Sequence, residues 1–366
     1  MTKKAVITAA KRTPVGRENG MLREYEPHKL ISPLLQHLGR AIDYRLDDVL
    51  LGNVVGPGGN IARLAALEAG FPLSVPGLTI DRQCSAGLEA IRTACFLIQG
   101  GAGQAYIAGG VESASTSPFK KRAQFAPYEI GDPEMGTAAE YVAKAFNVSR
   151  ELQDEYALLS YQRSLQAHEL QLYEPEIVPL GEFSADEEFR RQKDMERLVK
   201  RAKPIFEKET GTVTAANSCG IHDGASAVIV MEESMAKKMG MQPVLRFQDS
   251  QVTGVHPHFP GIGPVPAIRE LLKRNQLTME DIDLIEINEA FASKIAACAK
   301  ELDIPYSKLN VQGGALTLGH PYGASGAILV TRLFYEVQRR KDSRYVLAAI
   351  GSGGGIGAAV LFEVVR

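Results

Sequence analysis

The sequence predicts an α/β fold with a largely parallel, buried sheet. Short runs rich in β-branched residues alternate with longer amphipathic stretches, as in PGLTID (76–81), SAGLEAIRTACFLIQGG (85–101) and QAYIAGG (104–110). The same alternation returns in KLNVQGG (308–314), GASGAILVTRLFYEVQRR (323–340) and YVLAAIGSG (345–353). Strands alternating with helices favour layers of helices packed on a sheet.

The chain also shows a weak internal repeat. In the first half a strand leads into CSAG (84–87) at a helix start, and in the second half a strand and a glycine-rich turn lead into GASG (323–326). Charged helical segments separate the two halves. We therefore predict an N-terminal half at 1–117, an inserted segment at 118–242 and a C-terminal half at 243–366.

Composition narrows the classes of function. The chain has 366 residues, of which 45% are hydrophobic and 23% are charged, so it has the balance of a globular protein of several folded units. The net charge of −2 gives no global attraction to nucleic acid or to an anionic membrane, and no apolar run is long enough for a membrane span. We expect neither nucleic acid nor membrane as a partner.

Four cysteines are present, and their spacing includes neither a CxxC pair nor a zinc-binding pattern. The sequence therefore predicts a reduced, cytoplasmic protein without a metal site. Cys95 and Cys298 lie on apolar helix faces and are expected to be buried hydrophobic residues.

Cys84 differs from these because it follows an apolar strand and precedes a helix, between Gln83 and Ser85. The N–H groups and the dipole at a helix start favour a thiolate, so Cys84 is a candidate nucleophile. The alternative is another small buried hydrophobic residue.

Two further polar residues follow predicted strands. His320 stands between Gly319 and Pro321, where an imidazole can take a proton from a thiol, although it could also be a turn histidine bonded to backbone. Asn288 follows the apolar run IDLIEI, at the kind of strand end where α/β proteins build sites. Asn288 could also cap the next helix, with Glu289 in the first turn.

The glycine-rich run GSGGGIG (351–357) is not a dinucleotide-binding motif, since no helix and later acidic residue follow it. Its backbone N–H groups are better suited to approach a substrate carbonyl as an oxyanion hole.

Together, the motifs DRQCSAG (81–87), NEAF (288–291), GHPYGASG (319–326) and GGGIG (353–357) occur in the order found in the thiolase family. The resemblance extends to AVITAAKRTPVGRENG (5–20) and TAANSCGIHDGASA (214–227), and so spans nearly the whole chain. It implies a five-layered αβαβα fold made of two duplicated βαβαβαββ halves, with a helical loop domain inserted from the first.

The resemblance also implies acyl transfer through a thioester. Cys84 would take the acyl group from an acyl-CoA, with His320 activating the thiol. Asn288 would hold a water that joins His320 in polarising the thioester carbonyl. The N–H groups of Cys84 and Gly353 would form a second oxyanion hole.

Substrate contacts follow from the same resemblance. The inserted segment would bind CoA, which enters as part of the substrate, and no resident cofactor is expected. A homodimer is the expected assembly. The implied contacts with the acyl group or CoA are Met135, Asp249, Ser250, Ala290 and Phe291.

Three departures from the family pattern matter. The second cysteine of thiolases, which moves a proton at the α-carbon of the substrate, is replaced by Gly351. Ser352 is expected to point to the other side of the extended backbone and so cannot replace it. The inserted segment is short after Glu112, which favours a dimer over a tetramer, and Glu134 stands where a histidine is common.

Three functions remain open at this point. The first is an acetyl-CoA C-acyltransferase that makes or cleaves 3-oxoacyl-CoA. The second is acyl transfer or hydrolysis without carbon–carbon bond chemistry, because Gly351 cannot move a proton. The third is a non-catalytic CoA-binding or scaffold protein.

Overall fold

The computed structural model describes residues 3–119, 121–190 and 194–366. Within these ranges no helix is both long and apolar enough to cross a lipid bilayer. The strands are β1 Ala5–Arg12, β2 Gly16–Arg17, β3 Asp48–Gly52, β4 Leu78–Ile80, β5 Ala105–Glu112, β6 His222–Glu232, β7 Leu245–Gly254, β8 Ile282–Ile287, β9 Tyr345–Ser352 and β10 Ile356–Val364. The helices are α1 Pro27–Ala41, α2 Ile61–Glu68, α3 Ala86–Gln99, α4 Met135–Ala145, α5 Arg150–Glu169, α6 Met195–Arg201, α7 Glu233–Lys238, α8 Pro264–Arg274, α9 Ala292–Leu302, α10 Ala315–Leu318 and α11 Tyr322–Arg339.

Each half of the chain forms its own set of strands, and the two sets meet where β1 pairs with β7. The strand order is β4-β3-β5-β6-β1 in the first half and continues as β7-β10-β9-β8 in the second. The chain order of each half is βαβαβαββ, with a single bridge between Ile285 and Leu309 in place of the third strand of the second half. The duplication predicted from the sequence is confirmed.

The sheet is mixed, which corrects the prediction of a largely parallel one. The pairs β3–β4, β3–β5 and β8–β9 are parallel, whereas β6 and β10 run antiparallel to both of their neighbours. Each half ends in two successive strands with no helical crossover, and such strands pair antiparallel. The turn between β9 and β10 uses Gly354 and Gly355, both at positive φ.

Three large apolar cores fill the spaces between five layers, and the central core covers both faces of the α3/α11 layer. Successive side chains of a strand face opposite sides of a sheet, so Val49 and Leu51 pack under α1 and α2, while Leu50 faces α3 and α11. The third core lies between the strands of the second half and helices α8 and α9. The layers are therefore α1/α2, the first set of strands, α3/α11, the second set of strands, and α8/α9.

The inserted segment ends earlier than predicted. The predicted range 118–242 includes β6, which pairs with both β5 and β1 and is buried along nearly its whole length. A strand with neighbours on both edges belongs to the sheet, so the insertion ends before His222. Helices α4 and α5 of the insertion pack on α9 and bring the insertion over the end of the sheet.

Candidate active site

Cys84 lies in a tight turn between β4 and α3. Gln83 has a φ of +51°, a left-handed conformation that non-glycine residues rarely adopt. This turn places Cys84 just before Ser85, the N-cap of α3, with its side chain partly accessible. Backbone N–H groups of Cys84 itself and of Gly353 are directed at the Cys84 sulfur. A negative charge at this point therefore meets two donors.

The hydrogen bonds of His320 determine which ring nitrogen is free. The Ser325 hydroxyl donates to the carbonyl of Pro321 at 2.9 Å, so it must accept from Nδ1 of His320, 2.6 Å away. Nδ1 therefore carries the proton. Nε2 is then an acceptor, and Nδ2 of Asn288 donates to it at 3.4 Å. His320 is in the tautomer that a general base requires.

Asn288 is buried at the end of β8 and is held by its surroundings. Its backbone N–H donates to the Ala349 carbonyl at 3.1 Å. The next residue, Glu289, accepts hydrogen bonds from Tyr156 at 2.6 Å and Ser160 at 2.7 Å, both on α5. Because α9 begins at Ala292 with Phe291 as its N-cap, the alternative that Asn288 caps this helix is wrong.

The pKa values show that Cys84 and His320 are neutral at neutral pH. Burial raises the pKa of Cys84 to about 11, and burial together with the nearby Lys294 lowers the pKa of His320 to about 3. Lys294 interacts electrostatically with both residues, which places them at one site, and a neutral imidazole can accept the proton of a thiol that attacks a carbonyl carbon. This arrangement supports nucleophilic catalysis that begins from an uncharged pair.

A small pocket adjoins these residues at the edge of the insertion. It brings together three residues predicted to line the acyl site, Met135, Ala290 and Phe291, with Lys294 and Gly351. The remaining lining residues are Ala139, Val142, Pro260 and Gly261. We call this cavity the Met135 pocket.

Comparison with known proteins identifies the family. The family model for the thiolase N-terminal domain matches residues 5–234, and the model for the thiolase C-terminal domain matches residues 241–364. The chain belongs to the thiolase family. Two similar sequences are "Putative acetyl-CoA C-acetyltransferase YhfS" of Bacillus subtilis (strain 168) and "Putative acetyl-CoA C-acetyltransferase VraB" of Staphylococcus aureus (strain MSSA476). The first is 60% identical and covers 98% of this chain and 99% of the relative, and the second is 50% identical and covers 98% of each.

Solved structures give the same family. The crystal structure of the Bacillus anthracis acetyl-CoA acetyltransferase superposes with a TM-score of 0.93 at 39% identity, covering 100% of this chain and 99% of that one. The crystal structure of human mitochondrial 3-ketoacyl-CoA thiolase superposes with a TM-score of 0.92 at 33% identity and covers 99% of each chain. The predicted family and its five-layered fold are confirmed.

Gly351 of this thiolase has no room for a side chain. A Cβ built on Gly351 would lie 2.4 Å from the carbonyl oxygen of Pro260 and 3.0 Å from Cδ of Pro264. The neighbouring Ser352 is fully buried and its hydroxyl bonds the hydroxyl of Ser85. Ser352 thus points away from the Met135 pocket, in agreement with the sequence prediction.

Two residues near the candidate active site, Cys219 and Lys294, were not predicted from the sequence. Cys219 lies beside the site because its backbone N–H bonds the carbonyl of Ala290 at 3.0 Å, while Gly220 bonds the backbone of His320. Lys294 is buried on α9 and interacts electrostatically with Cys84 and Cys219. One signal was available, since Lys294 lies one helical turn before Cys298, a residue already assigned to the apolar face.

Asp249 and Ser250 do not line the Met135 pocket. Asp249 forms an ion pair with Arg274 of α8 at 2.6 Å, and the Ser250 hydroxyl accepts from Arg92 of α3 at 2.8 Å. Both side chains tie β7 to its covering helices. Their contact with CoA stays a prediction. Cys95 and Cys298 are buried, as expected.

Proposed function

We propose that this thiolase is an acyltransferase of the acetyl-CoA C-acyltransferase type. It would take an acyl group from acyl-CoA onto Cys84 and make or cleave 3-oxoacyl-CoA. The observation that carries the proposal is the arrangement at Cys84, which is partly accessible and has two backbone N–H groups directed at its sulfur. His320, with Nε2 as an acceptor, interacts with the same Lys294 as Cys84 does and would be the base.

The first half-reaction follows from this geometry. His320 takes the thiol proton as the Cys84 sulfur attacks the thioester carbonyl carbon. The negative charge that develops on the carbonyl oxygen is stabilised by N–H donors, for which the groups on Cys84, Gly353 and Asn288 are candidates. The C–S bond to CoA then breaks, and His320 returns the proton to the departing CoA sulfur.

Substrate and assembly are part of the same proposal. CoA thioesters are the substrates, the inserted segment binds the CoA moiety, and no resident cofactor takes part. A homodimer is supported by β4, which lies at one end of the strand order, and by the exposed apolar side chains Leu64, Leu67 and Leu78 around it. The free cysteines among the described residues support a reducing compartment such as the cytoplasm.

Gly351 favours a second candidate function. Without an acid/base group at the α-carbon, acyl-Cys84 could form and pass its acyl group to water or another acceptor, with no carbon–carbon bond made or broken. The two candidates share the acyl-enzyme and differ only in the step that follows.

The test is to mix the enzyme with acetyl-CoA and measure acetylation of Cys84 by mass spectrometry, then to assay thiolysis of acetoacetyl-CoA with free CoA. We expect both reactions in the wild type and neither in Cys84→Ala. Cys95→Ala is the matched control, since Cys95 lies in the central core, and it should be acetylated normally. Acetylation without thiolysis would establish the second candidate, and acetylation that persists in Cys84→Ala would contradict both.

A further inference from the structure

Lys294 reaches from α9 to the place where thiolases carry their second cysteine. Its side chain is 2% exposed, and its stem passes over Gly261, where a Cβ would lie 3.2 Å from the Cβ of Lys294. The Nζ atom lies 3.4 Å from the Gly351 carbonyl oxygen and 3.5 Å from the position that a Cβ of residue 351 would take. The amine therefore fills the space beside the missing side chain.

Within the described residues, no carboxylate lies within ion-pair distance of Lys294, and the carbonyl of Gly351 is its hydrogen-bond partner. A buried ammonium without a counter-ion is costly to keep, so its presence beside a nucleophile is a sign of a functional role. Lys294 also lines the Met135 pocket, where the acyl group is proposed to lie.

Resting on the proposed function, we propose that Lys294 is the acid/base that moves the proton at the α-carbon of the substrate, in place of the cysteine lost at Gly351. The role passes from a side chain near the end of β9 to one that comes from α9 and lines the same pocket.

In the direction of synthesis, every proton that is removed is also returned. The neutral Nζ takes a proton from the methyl carbon of acetyl-CoA as that carbon attacks the carbonyl carbon of acyl-Cys84. A carbon–carbon bond forms and the C–S bond to Cys84 breaks. The Lys294 ammonium then gives this proton to the Cys84 sulfur and returns to the neutral form.

Cleavage uses the reverse transfers. Neutral Lys294 takes the Cys84 proton as the sulfur attacks the 3-keto carbon, and the resulting ammonium protonates the α-carbon as the carbon–carbon bond breaks. His320 then takes the proton of free CoA as CoA attacks acyl-Cys84, and it returns this proton to the Cys84 sulfur.

The surroundings of Lys294 suit a group that works in both protonation states. Burial lowers the pKa of Lys294, and the thiols of Cys298, Cys84 and Cys219 oppose this change. His320 also faces the amine and is kept neutral. An amine with a lowered pKa loses its proton more readily than an exposed lysine, which suits a group that must both accept and donate a proton.

The test separates acylation from α-carbon chemistry. We would measure acetylation of Cys84, thiolysis of acetoacetyl-CoA, and exchange of the acetyl-CoA methyl protons in D2O. In Lys294→Met and Lys294→Gln we expect Cys84 acetylation within about threefold of wild type, whereas thiolysis and exchange fall by about 10² or more. Lys300→Met on the exposed side of α9 is the matched control and should match wild type in all three assays.

Other outcomes overturn the inference in distinguishable ways. Wild-type rates of exchange and thiolysis in folded Lys294→Gln would show that Lys294 is not the acid/base, and the proposed function would stand. A fall in acetylation that matches the fall in thiolysis would show that Lys294 acts only through Cys84.

Two outcomes concern the wild-type enzyme. Acetylation of Cys84 without proton exchange would leave acyl transfer as the only activity, and the absence of acetylation would contradict both the proposed function and this inference. Unfolding of both variants would make wild-type exchange decisive, because its rate must then rise with pH through the pKa of an amine.

Discussion

The two halves of this thiolase place similar residues at equivalent strand ends and use them differently. In the first half, Asn53 follows β3 and donates to Glu112 at the end of β5, and Glu112 also accepts the N–H groups of Val54, Val55 and Gly323. In the second half, Asn288 follows β8 and faces Nε2 of His320 at 3.4 Å. The Glu112 carboxylate has its hydrogen bonds supplied by protein donors, one of them from Gly323 of the second half. Asn288 and His320 share a single long contact, and we propose that they act on the thiol of Cys84, which the first half supplies.

The same topology can therefore place polar groups in a structural or a catalytic role. The role depends on whether the groups at the strand ends use up their hydrogen-bonding capacity on each other. Substitutions at Asn53 and Glu112 should therefore change the free energy of unfolding, and substitutions at Asn288 and His320 should change the rate of reaction.

The largest effect on the reaction rate is expected from His320→Ala. Removing the base should lower the rate of Cys84 acetylation by about 10² to 10⁴, because the Cys84 thiol then loses its proposed proton acceptor. Release of CoA on mixing with acetyl-CoA measures this rate. His168→Ala, which removes a ring stacked on Phe189 at 4.1 Å, is the control. An unchanged rate in His320→Ala would contradict the role of this residue.

The pH dependence of Cys84 alkylation should show that Cys84 and His320 are both uncharged in the resting enzyme. Because the pKa of Cys84 is raised to about 11 and that of His320 is lowered to about 3, alkylation by iodoacetamide should rise about tenfold per pH unit from pH 6 to 9. Mass spectrometry of the labelled peptide gives the rate. A plateau between pH 5 and 8 would mean instead that a thiolate–imidazolium pair exists at rest.

Substituting the two strand-end asparagines, Asn288 and Asn53, tests the difference between the two halves. Asn288→Ala should lower kcat/KM for thiolysis by about 10², since it removes a donor next to the reacting carbonyl. Asn53→Ala should leave kcat/KM nearly unchanged but destabilise the fold by about 1–3 kcal/mol, because it leaves buried acceptors without a partner. Steady-state kinetics and urea denaturation measure the two effects. The contrast between the halves fails if the two variants exchange these behaviours.

The smallest effect is expected from Ser352→Ala. Losing the bond to Ser85 should destabilise the fold by about 1 kcal/mol and leave thiolysis within about twofold of wild type. Thermal unfolding and the thiolysis assay check both. A large loss of activity would reassign the acid/base role from Lys294 to Ser352.

Much of this arrangement could be predicted from the sequence, because local pattern carries it. The strand-to-helix turn at Cys84, the strand end at Asn288 and the turn at His320 each sit within a short run of residues. Cys219 and Lys294 could not be placed in the same way, since their positions depend on how the 218–221 segment and α9 pack beside residues distant in the chain. The parallel sheet was predicted wrongly because periodicity does not reveal strand direction.

The tight contact at Gly351 also bears on how such a chain can change over generations. Any side chain at residue 351 would collide with the main chain at Pro260. A substitution to cysteine at 351 alone is therefore hindered by the position of the 260–264 segment. The two segments would have to change together. A cysteine placed at residue 351 without a change at 260–264 should therefore strain the backbone, and thermal unfolding of Gly351→Cys would measure that cost.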